Sequence, residues 1–141
     1  MKTKKEAFAK FGVIQRNHIW SWSGVSQDRS TVVLTVWTDQ YERCDESGSY
    51  VWSTFGCDNE EWINSNGNKA RIKDIGFALG NHAGHFRAIV IEPCREFLPQ
   101  RKIKSIRPVM HLEWIIDGFN PKTGECAGHS IPEIRRFSKN K

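Results

Sequence analysis

The stretch His18–Trp37, HIWSWSGVSQDRSTVVLTVW, constrains the fold of this chain more than any other. Its second half, Thr31–Trp37, is β-branched at most positions and contains neither glycine nor proline, which predicts a strand. The apolar residues of that strand fall on both faces, so it belongs in the middle of a sheet that is covered on two sides. In the first half, Trp20 and Trp22 are two residues apart. In an extended chain they share one face, while Ser21 and Ser23 take the other. The polar segment Gly24–Ser30 joins the two halves as a turn.

The rest of the chain supplies two helices and three further strands. Thr3 and Glu6 match a capping box, followed by Phe8 and Phe11 at i, i+3 spacing, which predicts a short docked helix near residues 4–11 ending at Gly12. Ser49–Phe55 alternates as a third strand, and the three strands so far suggest an antiparallel meander. Thr38–Ser47 reads as a polar crossing and Cys57–Asn68 as a loop. Asn68–Leu79 is the main helix, with Ile72, Ile75 and Leu79 forming its apolar stripe. Phe86–Glu92 and Val109–Ile116 are the remaining strands, separated by a basic connection, Arg95–Arg107. A turn over Asn120–Gly124 follows, and Ile131–Phe137 reads as one or two helical turns. The fold expected is a single compact α+β domain over residues 1–137. It has a mostly antiparallel five-stranded sheet or pseudo-barrel and two main helices, with 138–141 as a frayed basic tail.

A chain of 141 residues suffices for one core and not for two ordinary domains. No apolar run approaches the length of a membrane span, and the basic N-terminus lacks the apolar centre of a signal peptide, so a cytoplasmic protein with no membrane partner is expected. Four cysteines, Cys44, Cys57, Cys94 and Cys126, stand far apart without a CxxC, as expected of reduced thiols. The formal charge is +5. That balance favours polyanionic partners, because neutralising phosphates releases counterions. Acidic residues concentrate at 39–61, and basic ones at Arg95–Arg107 and Arg135–Lys141.

Six tryptophans in so short a chain raise the prospect of a pocket that stacks on a flat ligand. The candidate ligand- or base-binding residues are Trp20, Ser21, Trp22, Ser23, Trp37, Asp39 and Trp52. The candidate phosphate contacts are Arg101, Lys102, Lys104, Arg107, Arg135 and Arg136, giving the division between positioning and reading expected of nucleic-acid binders. A zinc alternative rests on His82 and His85 (HxxH) with Cys126 and His129 (CxxH), although Gly-rich turns explain those spacings equally well. No strand-borne carboxylate pair, GxSxG or phosphate-cradling loop is present, so catalysis is the minority expectation and no cofactor is expected.

The size, the strand-rich order, the WSWS stretch at Trp20–Ser23, the buried strand Thr31–Trp37 and the basic segments together resemble the PUA-like superfamily, with its EVE, YTH and SRA branches. The resemblance covers the general architecture over residues 13–116. It implies a compact pseudo-barrel that receives a modified or flipped base in an aromatic-lined pocket. The leading expectation is therefore a nucleic-acid-binding module for DNA or RNA. The alternatives are a protein-interaction or inhibitor module, its uneven charge marking a partner surface, and a small metal-dependent hydrolase or nuclease.

Overall fold

A computed structural model describes residues 3–14, 22–43, 49–55, 66–94 and 102–132. Its elements run α1 (Lys4–Ala9), β1 (Ser23–Val25), β2 (Val32–Trp37), a 3-10 turn (Thr38–Gln40), β3 (Tyr41–Arg43), β4 (Tyr50–Ser53), α2 (Asn66–Asn81), β5 (His85–Cys94), β6 (Lys102–Phe119) and β7 (Cys126–Pro132). The chain is α+β, with two helices among the described residues and one large open sheet. Its described strands lie in the order β1-β2-β5-β6-β7-β4-β3. The sheet is mixed, since β2 and β5 run parallel while the other pairs are antiparallel.

Among the described residues seven strands stand in place of the expected five, and the sheet is large and open where the expected alternative is a pseudo-barrel. The polar crossing after Trp37 contains β3, the basic connection already belongs to β6 from Lys102 onward, and the segment from Cys126 is β7. The expected three-strand meander does not form either, because β4 pairs with β3 and β7 and not with β2. Even so, the sheet must curl. β2 and β3 lie five strand positions apart, about 24 Å across a flat sheet, yet only the turn Thr38–Gln40 joins them. That connection spans ~15 Å at most, so the β3 edge is drawn back towards the middle of the sheet.

As the sequence predicts, β2 is central and covered on both faces. Val32, Leu34 and Val36 pack with Ile75 and Ala78 of α2 and with Phe86, Ala88, Trp52 and Trp114. Val33 packs on the other face with Ala7 and Phe8 of α1 and with Ile89 and Ile91. The capping box of α1 forms: Thr3 Oγ1 accepts from the Glu6 backbone N–H at 3.2 Å, and the Thr3 N–H reaches Glu6 Oε1 at 3.4 Å. Gly12, at φ +80°, turns the chain away.

Helix α2 presents a different stripe from the expected one. Ile75 and Ala78 are buried, but Leu79 is exposed, and the N-terminal part of the buried face is Asn68 and Arg71. Asn68 Nδ2 donates to the Thr123 carbonyl at 2.7 Å, and Arg71 donates to Asn68 Oδ1 at 3.2 Å and to the Gly124 carbonyl at 3.4 Å. These bonds tie the helix to the 121–123 turn, which is why polar side chains occupy core positions. Gly124 stands at φ +85°, and a Cβ there would lie 2.2 Å from Asn68 Oδ1. Gly124→Ala should cost about 2–3 kcal/mol, through left-handed strain and the lost buried hydrogen bonds; a urea unfolding midpoint within error of the parent would contradict this account.

The β1–β2 turn is held by a carboxylate. Ser26 and Ser30 hydroxyls donate to Asp28 Oδ1 at 2.6 and 2.7 Å, and the Ser30 N–H adds a third bond at 3.1 Å. These bonds, Ser26 first, lower the Asp28 carboxyl from 3.8 to about 2. A carboxyl depressed in the folded state stabilises above its unfolded value, and that contribution disappears as pH falls from about 3.8 to about 2. Asp28→Asn should therefore flatten the stability profile across that window, and thermal melts at pH 5, 3.5 and 2 check it.

Candidate functional site: an aromatic notch beside Arg107

Residues of β3, β4 and β6 meet on the face of the sheet that carries α2. The curl of the sheet brings Tyr41 next to Tyr50, with ring centroids 5.4 Å apart at 83°. Tyr41 meets Trp114 edge-on at 6.3 Å, and Tyr50 stacks on Trp114 at 6.3 Å and 29°. Beneath them Trp114 stacks on Phe86 at 6.1 Å, and Phe86 packs against Trp52 at 5.7 Å. A column of rings thus runs from the half-buried tyrosines into the core.

At the mouth of this column lies a notch of about 60 Å³, lined by Tyr41, Tyr50, Arg107, Leu112 and Trp114 together with Val90 and Val109. Arg107 is exposed. Burial pushes the Tyr41 phenol above its ordinary value, while the positive field of Arg107 acts in the opposite direction. Trp114 is 1% exposed, and its indole N–H has no acceptor among the described residues. A buried donor left without an acceptor costs about 1–3 kcal/mol.

The expected site residues are scattered by the fold. Trp20, Ser21, Arg101, Arg135 and Arg136 lie outside the described residues. Trp22 is half-buried, and the Arg71 guanidinium sits 4.9 Å over its ring centroid. Its carbonyl accepts from the Thr35 N–H and hydroxyl. Ser23 is buried and donates to Asp74 Oδ2 at 2.5 Å; burial raises that carboxyl above its usual range, the serine bond opposing it. Trp37 packs on the α1 side of the sheet, and Asp39 is exposed in the 3-10 turn. Trp52 is 0% exposed, so it is a core residue and not a stacking platform.

Among the cationic candidates, Lys102 opens β6 and Lys104 lies 3.8 Å from Glu92 on the surface. Arg107 alone of the described ones lines the notch. The two tyrosines and Trp114 are absent from the site expected on sequence. Tyr50 shares the face of Trp52 at i, i+2, which is the one available signal; Tyr41 sits in a strand of three residues, too short to alternate visibly.

The zinc alternative is not assembled. Cys126 and His129 lie in β7, where residues three apart point to opposite faces. Cys126 is fully buried beside Thr54, whereas His129 pairs with Asp117 at 2.8 Å. His82 Nε2 contacts the Arg29 carbonyl at 2.9 Å, and His85 pairs with Glu113 at 2.7 Å. Among the described residues no group of three or more His, Cys, Asp or Glu is placed to hold a metal ion, and no helix is long and apolar enough to cross a membrane. Comparison with family models, with curated proteins and with solved structures found no match to this chain.

Proposed function

We propose that this chain is a nucleic-acid-binding module that reads an unpaired or flipped base at the Tyr41–Tyr50–Trp114 notch. The observation that carries the reading is the ring column opening beside Arg107 in a protein of net charge +5. A notch of about 60 Å³ admits the edge of a ring and not a whole base. The base therefore stacks across the half-exposed tyrosines, with its edge in the notch beside Trp114. Such stacking contributes about 1–3 kcal/mol per base and tolerates different bases. Arg107 meets the flanking phosphate, which positions the strand without reading sequence. This is the role that the PUA-like resemblance implies, carried by residues other than the WSWS tryptophans.

Labelled single- and double-stranded DNA and RNA, plain and modified, titrated with the protein at low salt, test the proposal. Binding should favour unpaired bases, and log affinity should fall linearly with log salt, by about 0.7 for each phosphate neutralised on a single strand. Absence of binding to every oligonucleotide at low salt would overturn the reading.

A further inference from the structure

A second cleft, of about 460 Å³, opens between the turn after α1 and the start of β5. Its volume falls in the range of small-ligand sites, roughly 300–1,000 Å³. We infer that it binds a phosphate monoester, carried either by a free nucleotide or by the phosphorylated end of a nucleic-acid strand.

The cleft is built around an irregularity in the sheet. Phe86 pairs with Trp114 and Ala88 with Val109, so Arg87 alone on β5 faces the four residues Met110–Glu113 of β6. Bulges of this kind re-aim side chains. Here Arg87 Nη2 donates to the Met110 carbonyl, and its guanidinium lies 5.8 Å from the Phe11 ring centroid. Glu113 is turned onto His85, with Oε1 2.7 Å from Nδ1. The carboxylate fixes the orientation of the imidazole. His85 Nε2 has no partner among the described residues, and the ring lines the cleft.

The remaining polar groups converge from other elements. Lys10 follows α1, is exposed, and has no side-chain partner among the described residues. His82 offers its Nε2–H to the Arg29 carbonyl, an acceptor only, leaving Nδ1 as its second ring nitrogen. Among the described residues that line the cleft, an ammonium, a guanidinium and two imidazoles thus face one carboxylate, which is engaged with His85. That balance suits a group carrying about −1.5 to −2 charges at pH 7, as a phosphate monoester does. Phe11 supplies an apolar wall for a nucleoside ring. The dyad reads as a binding device, because the Ser30 hydroxyl at the rim bonds Asp28 and not His85. His85, Arg87 and Glu113 belong to the sheet face opposite Trp114, so this cleft does not rest on the aromatic notch.

Calorimetry and histidine-detected NMR of the full chain in phosphate-free buffer, with inorganic phosphate, adenosine 5′-monophosphate and adenosine as probes, test the inference. The monophosphate should bind about tenfold or more tighter than adenosine, the scale of a charge-assisted hydrogen bond, and should shift the His82 and His85 ring resonances. Lys10→Gln and His85→Gln should each weaken it by a similar factor, while Lys122→Gln, on a distant exposed turn, should not. If His85→Gln unfolds, the exposed Lys10→Gln carries the test. Tighter binding of a 5′-phosphorylated oligonucleotide than of the monophosphate assigns a strand end, and the reverse order a free nucleotide. Equal binding of monophosphate and adenosine, or no histidine shift with phosphate or monophosphate at millimolar concentration, overturns the inference and leaves the oligonucleotide titration at the notch unaffected.

Discussion

Trp52→Ala should lower the stability of this protein by about 3–5 kcal/mol, the scale of a large aromatic removed from a packed core. Trp52 is 0% exposed and sits in β4, which is paired on one side with β3 and on the other with β7. Its ring packs on Phe86, and through Phe86 on Trp114, so its loss leaves a cavity under the whole ring column. A substantial share of a small domain's total stability would be lost at one position. The urea midpoint should fall with little change in slope, as expected when packing is lost and the unfolded state is unaltered. Trp52→Phe should cost much less. It keeps most of the ring and removes a buried indole N–H that has no acceptor among the described residues. A loss below about 1 kcal/mol for the alanine variant would contradict the placement of Trp52 in the core.

Tyr50→Ala should weaken binding of a single-stranded oligonucleotide by about 5- to 150-fold, the equivalent of one stacked base. Tyr50 packs against both Tyr41 and Trp114, so its removal takes away much of the stacking surface. A smaller, separable effect is expected of Arg107→Gln: it removes about one phosphate interaction, and the salt slope should fall by ~0.7. Tyr50→Phe keeps the ring and should retain most of the affinity. Thermal melts of each variant separate lost binding from lost folding. Full affinity in a folded Tyr50→Ala protein would remove the notch from the account.

The parts of the fold legible in the sequence are those in which local pattern and tertiary environment agree. Thr31–Trp37 is apolar on both faces because α1 and α2 cover both faces of β2. Thr3 and Glu6 cap α1 through bonds made entirely within one turn. Legibility fails where tertiary pairing supplies what the local sequence lacks. Tyr41–Arg43 is three residues long and polar at two of them, and becomes a strand only because β4 offers it hydrogen bonds. Cys126–Pro132 contains glycine and proline and is recruited by β6 and β4 together. Asn68 and Arg71 break the apolar stripe of α2 because their partners, Thr123 and Gly124, are more than fifty residues away.

The candidate site is harder to read for the same reason. An alternating strand shows which residues share a face, but not which face opens to solvent. Trp20 and Trp22 stand out through local spacing, yet Trp22 supports a buried arginine. Arg107 is visible in the sequence as a basic residue before a strand. Its neighbours Tyr41 and Tyr50 come from the β4–β3 edge of the sheet, delivered by a curl that no local pattern encodes.

The most direct test of the notch is ultraviolet cross-linking of a single-stranded oligonucleotide carrying 5-iodouracil, followed by mass spectrometry of the modified peptides. Base stacking at the notch predicts adducts on Tyr41, Tyr50 or Trp114, suppressed by unlabelled competitor and by high salt. Efficient cross-linking confined to residues away from these three would contradict it.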